Sequence, residues 1–242
     1  MGGAQTGLGP SPYDPIARIY DPWSRSVTED IDFYVEEALA SGGPVVELAV
    51  GTGRIAVPIA AARIAVVGVD RSEGMLAVAR AYAAEQGVEA FVDLRRGDLR
   101  DPPVHGGVPL VIIPFRSLLH METEEDRAAA LAAAHRLLLP DGRLIFDVFA
   151  PSPEDIEDTN GRWIEREPGI FERAVWDEDA RRLSLSVRSG ESASTMTLAW
   201  LTPPEWQQLL ERSGFVVDAL YGWFDRRPFE GGEDTVWIAR RA

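Results

Sequence analysis

The sequence predicts an α/β fold in which helices cover a mostly parallel sheet, and three observations predict it. Between about residues 44 and 150, β-branched apolar runs alternate with helix-compatible stretches, which is the pattern of parallel strands joined by helices. A Gly-x-Gly turn follows the first run and leads into the next helix. Beyond about residue 151, apolar and polar residues alternate with a period of two, which indicates antiparallel strands.

The first part of the chain begins with a helix and then alternates strands with helices. Thr28 begins an acidic amphipathic helix that runs to about residue 40 and is ended by glycines. Ser72 and Thr123 stand where a side chain can cap a helix N-terminus. The elements predicted after the first helix are a strand at 44–50, a helix at 53–62, a strand at 64–70, a helix at 72–86, strands at 90–96 and 109–113, a helix at 123–139 and a strand at 143–149.

The second part carries the antiparallel strands and one more helix. Stretches 162–176, 181–188 and 194–201 alternate with a period of two. Thr202 and Glu205 then form a capping box that opens a helix. Two last strands, FVVDALYGW and TVWIARR, are expected to form an antiparallel hairpin.

Length and composition are those of one α/β domain. The chain has 242 residues, which leaves room for an insertion. No apolar run approaches the roughly 20 residues that cross a bilayer. The first residues also lack the basic and apolar regions of a signal peptide. Cysteine is absent, which excludes disulfides and thiolate chemistry. We therefore expect a cytoplasmic protein.

The formal net charge of −15 bears on the partners. A nucleic acid would meet long-range repulsion, and no basic stripe with interleaved aromatic residues is visible. We therefore expect neither a nucleic acid nor a membrane as partner, and a cationic or amine substrate is mildly favoured. The period-two strands can pair with a second copy, which leaves a homo-oligomer open.

The most informative segment, Val45 to Ala60, joins a strand to a helix through Gly51 and Gly53. This layout brings a nucleotide-sized ligand to the N-terminus of a helix. Asp70 ends the next strand, where a carboxylate can accept both hydroxyls of a ribose. These residues fit NAD as well, because the glycines and Ala56 match the dinucleotide fingerprint.

Glu47 discriminates between the two kinds of cofactor. It lies four residues before Gly51, at the end of the strand. A carboxylate there repels a pyrophosphate and attracts an ammonium group. S-adenosylmethionine (SAM) carries an ammonium and a sulfonium but no phosphate, so Glu47 favours SAM over a dinucleotide.

With these residues the chain resembles the class I SAM-dependent methyltransferases of the small-molecule type. Five segments occur in the family's order: ELAVGTGR (Glu47–Arg54), VVGVDRSEGML (Val66–Leu76), RRGDLRD (Arg95–Asp101), VPLVIIPFRSLLHM (Val108–Met121) and LLLPDGRLIFDVFAP (Leu137–Pro151). The resemblance implies a Rossmann-like, seven-stranded and mostly parallel sheet with helices on both faces, an antiparallel final hairpin and an antiparallel β insertion after strand 5.

The resemblance also divides the chain, taken as a single methyltransferase domain of residues 1–242. Its parts are an N-terminal tail with lid helices (1–43), a cofactor-binding core (44–150), the antiparallel β insertion (151–201) and a final helix with strands (202–242).

The matched positions imply a role for each cofactor-binding residue. Asp70 would take the ribose hydroxyls, and Asp98 would accept from the adenine amino group. The backbone at Gly51 and Gly53 would approach the methionine and ribose parts, and Glu47 would face the ammonium, directly or through water. The implied cofactor-binding residues are Tyr20, Glu47, Gly51, Gly53, Arg54, Asp70, Arg71, Met75, Asp98, Leu99 and Pro114.

The candidate catalytic residues are Tyr13, Phe115 and His120. Tyr13 opens YDPIARIYD (Tyr13–Asp21), which resembles the family's lid helix, and would lie on the substrate side. Phe115, just past the fourth strand, would face the sulfonium and the substrate. His120 is the histidine nearest the expected reaction centre, where it would act as a base or simply pack. The sequence contains no pattern of metal ligands, so no metal is expected.

The sequence thus predicts a SAM-dependent methyltransferase that acts on a small organic acceptor, with an amine nitrogen favoured. Transfer would be an in-line displacement that depends on positioning, because an amine can lose its proton to solvent before it docks. One alternative is a small-molecule O-methyltransferase with His120 as general base. Another is a module that binds SAM without catalysis, and an NAD-dependent oxidoreductase is more distant.

Overall fold

A computed structural model describes residues 8–24 and 28–242, and its strands form two sheets. The first seven residues of the predicted tail lie outside the described part. The strands are β1 (Val45–Leu48), β2 (Val66–Asp70), β3 (Val92–Arg96), β4 (Val108–Ile113), β5 (Leu138–Phe149), β6 (Trp163–Glu167), β7 (Ile170–Asp177), β8 (Arg182–Ser189), β9 (Ser192–Ala199), β10 (Phe215–Tyr221) and β11 (Asp234–Arg241). The α-helices are α1 (Tyr20–Trp23), α2 (Glu29–Ser41), α3 (Ala56–Ala61), α4 (Glu73–Glu85), α5 (Glu124–Leu137), α6 (Pro153–Thr159) and α7 (Pro203–Arg212).

The larger sheet has seven strands in the order β10-β11-β5-β4-β1-β2-β3. The five strands from β5 to β3 are parallel, and β1 lies at their centre with β2 and β4 as neighbours. Strand β11 runs antiparallel to both β5 and β10. This arrangement confirms the predicted Rossmann-like sheet with an antiparallel final hairpin.

Helices cover both faces of this sheet, because successive strand residues point to opposite sides. Val46 and Val111 belong to the apolar cluster that includes residues of α5 and α7. Val45 and Leu110 belong to the cluster that includes residues of α2 and α3. All four side chains are almost completely buried, and burial of each contributes about 1.5–3 kcal/mol.

The N-terminal caps of two helices agree with the prediction, whereas one helix is shorter than predicted and another was not predicted. The side chains of Ser72 and Thr123 cap α4 and α5 as predicted. The helix predicted at 123–139 ends instead at Leu137, because Leu138 already pairs with Val108 in the sheet. Helix α6, capped by the hydroxyl of Ser152, was not predicted.

The second sheet contains the strands β6-β7-β8-β9 and is antiparallel, as predicted for the insertion, but the predicted stretch 162–176 is divided into two strands, β6 and β7. Ile170, Val187 and Met196 of this sheet pack with Ile16 of the N-terminal segment, which is defined here as residues 8–24. The four-stranded sheet and the N-terminal segment therefore face each other. None of the described helices is both long and apolar enough to cross a membrane.

Candidate active site

Two cavities lie where the parallel strands end and the N-terminal segment begins. The loops after β1, β2, β3 and β4 border the first cavity, in agreement with the rule that open α/β sheets bind ligands at the carboxyl ends of their strands. The predicted site residues that line the first cavity are Tyr13, Tyr20, Gly51, Asp70, Arg71, Met75, Asp98, Leu99, Phe115 and His120. Glu47, Gly53, Arg54 and Pro114 line neither cavity.

The glycine loop and the end of β2 meet at the first cavity. The N–H of Gly51 donates to Asp70 Oδ2 at 2.9 Å, and the N–H of Ser72 donates to Oδ1 at 2.8 Å. Gly51 has a φ of +56°, and a Cβ added there would meet no atom within 4 Å. Any side chain at this position would therefore project into the cavity. Burial raises the pKa of Asp70 while the two backbone N–H groups act to lower it.

Gly53 serves helix packing and lies away from the cavity wall. Its φ is +80°, and a Cβ there would come within 3.2 Å of both Ala79 Cβ and Val57 Cγ2. Glycine is therefore required because α4 approaches the loop closely. Gly53 lines neither cavity, and the approach of its backbone to the cofactor stays a prediction.

Glu47 lies within β1 and is only 1% exposed. Its Oε2 has no hydrogen-bond partner among the described residues, and burial raises its pKa well above the usual range. Direct contact with an ammonium in the first cavity is not supported, because the side chain does not line that cavity. Contact through water stays a prediction. Pro114 is likewise buried, and its carbonyl accepts from the Ser117 hydroxyl at 2.7 Å.

Arg54 forms a buried ion pair, and its implied role in binding the cofactor stays a prediction. Its guanidinium donates to both oxygens of Asp30 on α2, at 2.8 and 2.5 Å. The same guanidinium lies 4.6 Å from the centre of the Phe115 ring. Arg54 thus connects the glycine loop to α2 and supports a ring that lines the first cavity.

Asp98 lines the first cavity after β3, beside Leu99 and across from Met75 of α4. Its carboxylate accepts from Arg100 through Nε at 2.9 Å, Nη2 at 2.6 Å and the backbone N–H at 2.9 Å. These hydrogen bonds lower the pKa of Asp98 and keep it ionised. Arg100 continues to Asp126 of α5 at 2.5 Å, so the acid is held in a fixed orientation.

The N-terminal segment is tied to the first cavity by two aspartates. Asp14 Oδ1 accepts from the Ser72 hydroxyl at 2.6 Å and from the Gly74 N–H at 3.0 Å. Asp21 accepts from the hydroxyl of Thr52, in the glycine loop, at 2.6 Å. These contacts place the segment over the start of α4 and over the glycine loop.

Tyr13 and His120 form a hydrogen-bonded pair that lines both cavities. The Tyr13 hydroxyl lies 2.8 Å from His120 Nε2. Burial lowers the pKa of His120 to about 4, and a hydrogen bond with the backbone of Thr197, which raises the pKa, offsets only part of this effect. Burial also raises the pKa of Tyr13 well above its usual range. At neutral pH both side chains are therefore uncharged, and the tautomer of His120 decides whether the Tyr13 hydroxyl donates to Nε2 or accepts from it.

Phe115 and Arg116 form an unusual turn after β4. Both have left-handed backbone conformations, with φ of +55° and +62°. Asp147 of β5 holds this turn, because its two carboxylate oxygens accept from the two backbone N–H groups at 2.8 and 3.0 Å. Oδ1 also accepts from the Tyr34 hydroxyl at 2.7 Å. Burial raises the pKa of Asp147 to about 6.

The second cavity adjoins the first through four rings, those of Tyr13, Tyr20, Phe115 and His120, which line both. Its other walls come from the N-terminal segment, the four-stranded sheet, α6 and the start of β11. The remaining aromatic and charged residues of its lining are Trp23, Arg116, Phe149, Asp155, Arg166, Glu172, Trp176, Glu233 and Asp234.

Sequence reasoning missed several residues that build the site. Asp14 and Asp21 lie in the quoted YDPIARIYD segment, but their partners are residues of the loops after β1 and β2. The signal for Asp147 was a single acid inside the apolar run LIFDVF. A buried acid in a strand needs partners, and that need marks it as a residue that holds a neighbouring loop.

Comparisons with known proteins agree with this geometry. A family model described as "Methyltransferase domain" matches residues 45–142. The ubiquinone/menaquinone biosynthesis C-methyltransferase UbiE of Geotalea uraniireducens is 31% identical over 148 residues, which cover 57% of this chain and 61% of the relative. The chain spans about half the length of the first curated relatives that it matches, 48% in one and 50% in another.

Two solved structures share the whole fold. The CcbJ methyltransferase of Streptomyces caelestis has a TM-score of 0.82 at 24% identity, over 96% of this chain and 98% of that one. SAM-bound CalS10 of Micromonospora echinaspora, an amino pentose methyltransferase, has a TM-score of 0.66 at 19% identity, over 94% and 97%. At these identities the likeness shows the fold.

The family match, the fold and the first cavity together define the class. Residues 45–142 match the family of methyltransferase domains, and SAM is the cofactor that this match and the SAM-bound structures of the same fold indicate. The described residues fit SAM, since Gly51 leaves open space at the cavity wall and each oxygen of Asp70 keeps a lone pair for a ribose hydroxyl. Among the described residues no group of three or more His, Asp or Glu is placed to hold a metal ion.

Proposed function

We propose that the chain transfers the methyl group of SAM to a nitrogen of a small organic acceptor. The observation that carries this proposal is the junction of the two cavities at Tyr13, Tyr20, Phe115 and His120. A donor in the first cavity and an acceptor in the second would meet at these rings, which is the geometry that an in-line displacement needs.

The residues of the first cavity would hold the donor. Asp70 would accept the ribose hydroxyls, and Asp98 would accept from the adenine amino group beside Leu99 and Met75. Bound SAM supplies a methyl group activated by the adjacent sulfonium. Tyr20 and Phe115 lie in edge contact, with 6.3 Å between ring centres, and would exclude water from the junction.

His120 favours a nitrogen acceptor over a hydroxyl. A hydroxyl needs a base to remove its proton, whereas an amine can arrive unprotonated. Burial lowers the pKa of His120 to about 4, and its Nε2 is already engaged in a hydrogen bond with the Tyr13 hydroxyl at 2.8 Å. His120 is therefore a poor base at neutral pH, and in this proposal the Tyr13–His120 pair orients the acceptor.

The descriptions of the two relatives name different kinds of methyl transfer. UbiE is a C-methyltransferase, and CalS10 is an amino pentose methyltransferase. The similarity to CalS10 extends over the four-stranded sheet as well as the parallel core, since it covers 94% of this chain. It supports a small-molecule acceptor that carries an amino group, while the match to UbiE covers 57% of this chain.

The test begins with calorimetric titration of the purified protein with S-adenosylhomocysteine (SAH), and NADH serves as the control ligand. We expect micromolar binding of SAH alone, and binding of NADH alone would contradict the proposal. Methyl transfer from SAM is then measured on a panel of primary amines, secondary amines and phenols. Transfer only to phenols, with loss of that activity in His120→Asn, would establish the O-methyltransferase alternative instead. Tight SAH binding without transfer to any acceptor of the panel would favour a binding module.

A further inference from the structure

The acidic residues of the second cavity are not balanced by its basic ones. Arg116 pairs with Asp234 at 2.8 Å, and Arg166 pairs with Glu172 at 2.8 Å. Asp155 and Glu233 remain, and neither forms a salt bridge with any residue in 8–24 or 28–242. Burial raises the pKa of Asp155, and so do the hydrogen bond to Glu233 and the negative charge of that neighbour. The cavity therefore holds a surplus of negative charge at this carboxyl pair.

Ser24 is an independent sign of a ligand in the same cavity. The residue is only 6% exposed and lines the second cavity. Its Oγ has no hydrogen-bond partner among the described residues. Burial of a hydroxyl without a partner costs about 1–3 kcal/mol, which a polar group of a bound molecule would offset.

Aromatic rings complete the second cavity. Trp176 of β7 and Phe149 of β5 meet edge to face, with 6.2 Å between their ring centres. Trp23 lies in the same lining, and its Nε1 donates to Glu172 at 2.7 Å. Aromatic faces attract cations, most strongly at desolvated sites. A cation in this cavity would therefore be attracted both by rings and by carboxylates.

We propose that the second cavity binds an acceptor that carries an ammonium group, held at the carboxyl pair of Asp155 and Glu233, together with a polar group that bonds to Ser24 Oγ. The inference rests on the proposed function, because it names the class of acceptor for that site. A protonated amine has no free lone pair, so a nitrogen held at this pair is not the one that receives the methyl group. The acceptor class is thus a small molecule with at least two nitrogens, one that binds as a cation and one that reacts.

The placement of the residues agrees with two separate nitrogens. Asp155 and Glu233 line the second cavity but not the first. The rings shared by both cavities are uncharged at neutral pH, including Tyr13 and His120. The cation would therefore be held by residues that do not border the donor cavity, while the reacting nitrogen lies among neutral rings.

The test uses the full chain saturated with SAH and a matched pair of probes, choline and its uncharged isostere 3,3-dimethylbutan-1-ol. Choline cannot accept a methyl group, so its affinity is measured by calorimetry without turnover. We expect choline to bind at least about tenfold more tightly than the alcohol. In the Asp155→Asn/Glu233→Gln variant this preference should fall to about twofold or less, and Ser24→Ala should weaken both probes alike.

The control variant Asp179→Asn/Glu191→Gln removes two exposed carboxylates outside both cavities and should keep the preference for choline. The melting temperature separates binding from a structural role. If the two facing carboxyl groups serve binding, their removal should leave the melting temperature unchanged or raise it. If they have a structural role, the melting temperature should fall. Equal affinity for choline and the alcohol in the wild type, or an unchanged preference in Asp155→Asn/Glu233→Gln, would overturn the inference. If the inference failed in this way, methyl transfer to simple monoamines would still support the proposed function. If instead choline bound preferentially but no amine received a methyl group, the proposed function would be wrong and the cation site would stand.

Discussion

The first and second cavities share four rings but are built in different ways. The first cavity is lined mainly by short loops at the ends of adjacent parallel strands, and Gly51, Asp70 and Asp98 occupy consecutive loops of this kind. The second cavity takes its walls from distant parts of the chain, such as Trp23, Glu172 and Glu233. Donor binding therefore depends on the local geometry of strand ends. Acceptor binding depends on how separate segments pack together.

The comparison predicts that the largest single effect belongs to Asp70. Asp70→Ala removes the acceptor for two ribose hydroxyls and for the N–H groups of Gly51 and Ser72. We expect the Kd for SAH to rise about 1000-fold, or about 4 kcal/mol, in calorimetric titration. Asp93→Ala, on the exposed side of β3, is the matched control and should change the Kd by less than twofold. An unchanged Kd in Asp70→Ala would show that the first cavity is not the donor site.

The junction of the cavities should be sensitive to pH through His120. Its pKa falls from 6.5 in the unfolded chain to about 4 in the folded one, so the unfolded state binds more protons between these values. The stabilisation is complete above pH 6.5 and is lost as the pH falls toward 4. Between pH 7.5 and 5 the free energy of unfolding should therefore drop by about 2 kcal/mol more in the wild type than in His120→Asn.

Urea denaturation of both proteins at the two pH values measures this difference. His105→Asn, an exposed loop histidine, should behave like the wild type. If His120→Asn showed the same drop as the wild type, His120 would not be buried in its neutral form.

Asp147 allows the two cavities to be separated further. Asp147→Asn replaces one oxygen that accepts from the Phe115–Arg116 turn with an NH2 group, which faces a donor. We expect kcat to fall about tenfold, since the turn positions a ring at the junction, while the Kd for SAH stays within about twofold. Asp218→Asn on the exposed side of β10 is the control. A rise in the Kd for SAH with an unchanged kcat would assign Asp147 to the donor site alone.

The smallest expected effect concerns the N-terminal segment, which covers both cavities. Thr52→Val keeps the shape of a buried side chain but removes its hydrogen bond to Asp21. We expect KM for the acceptor to rise about fivefold, because the loss of this hydrogen bond removes roughly 1 kcal/mol from the stability of the docked segment. Thr195→Val on the exposed face of β9 should leave KM unchanged. A larger change in KM for SAM than for the acceptor would place the segment with the donor.

The sequence predicts the parallel core and its loops because their signals are local. Gly51 and Asp70 are 19 residues apart and lie in adjacent strand–helix units, so spacing alone brings them together. Asp147 and Tyr34 are separated by 113 residues, and Trp23 and Glu172 by 149. No spacing rule brings such residues together, which is why the walls of the second cavity could not be predicted. Glu47 shows the opposite limit, because a motif identifies a position without showing which way its side chain points.

The four-stranded sheet has a consequence for the evolution of acceptor specificity in this protein. It contributes Met196 and Thr197 to the first cavity, but seven residues to the second, which are Arg166, Glu172, Ala174, Trp176, Leu183, Leu185 and Leu198. Substitutions at these positions of the four strands can therefore alter the choice of acceptor while the donor loops stay as they are. Mutational drift toward new acceptors can proceed in this sheet without loss of the methyl donor.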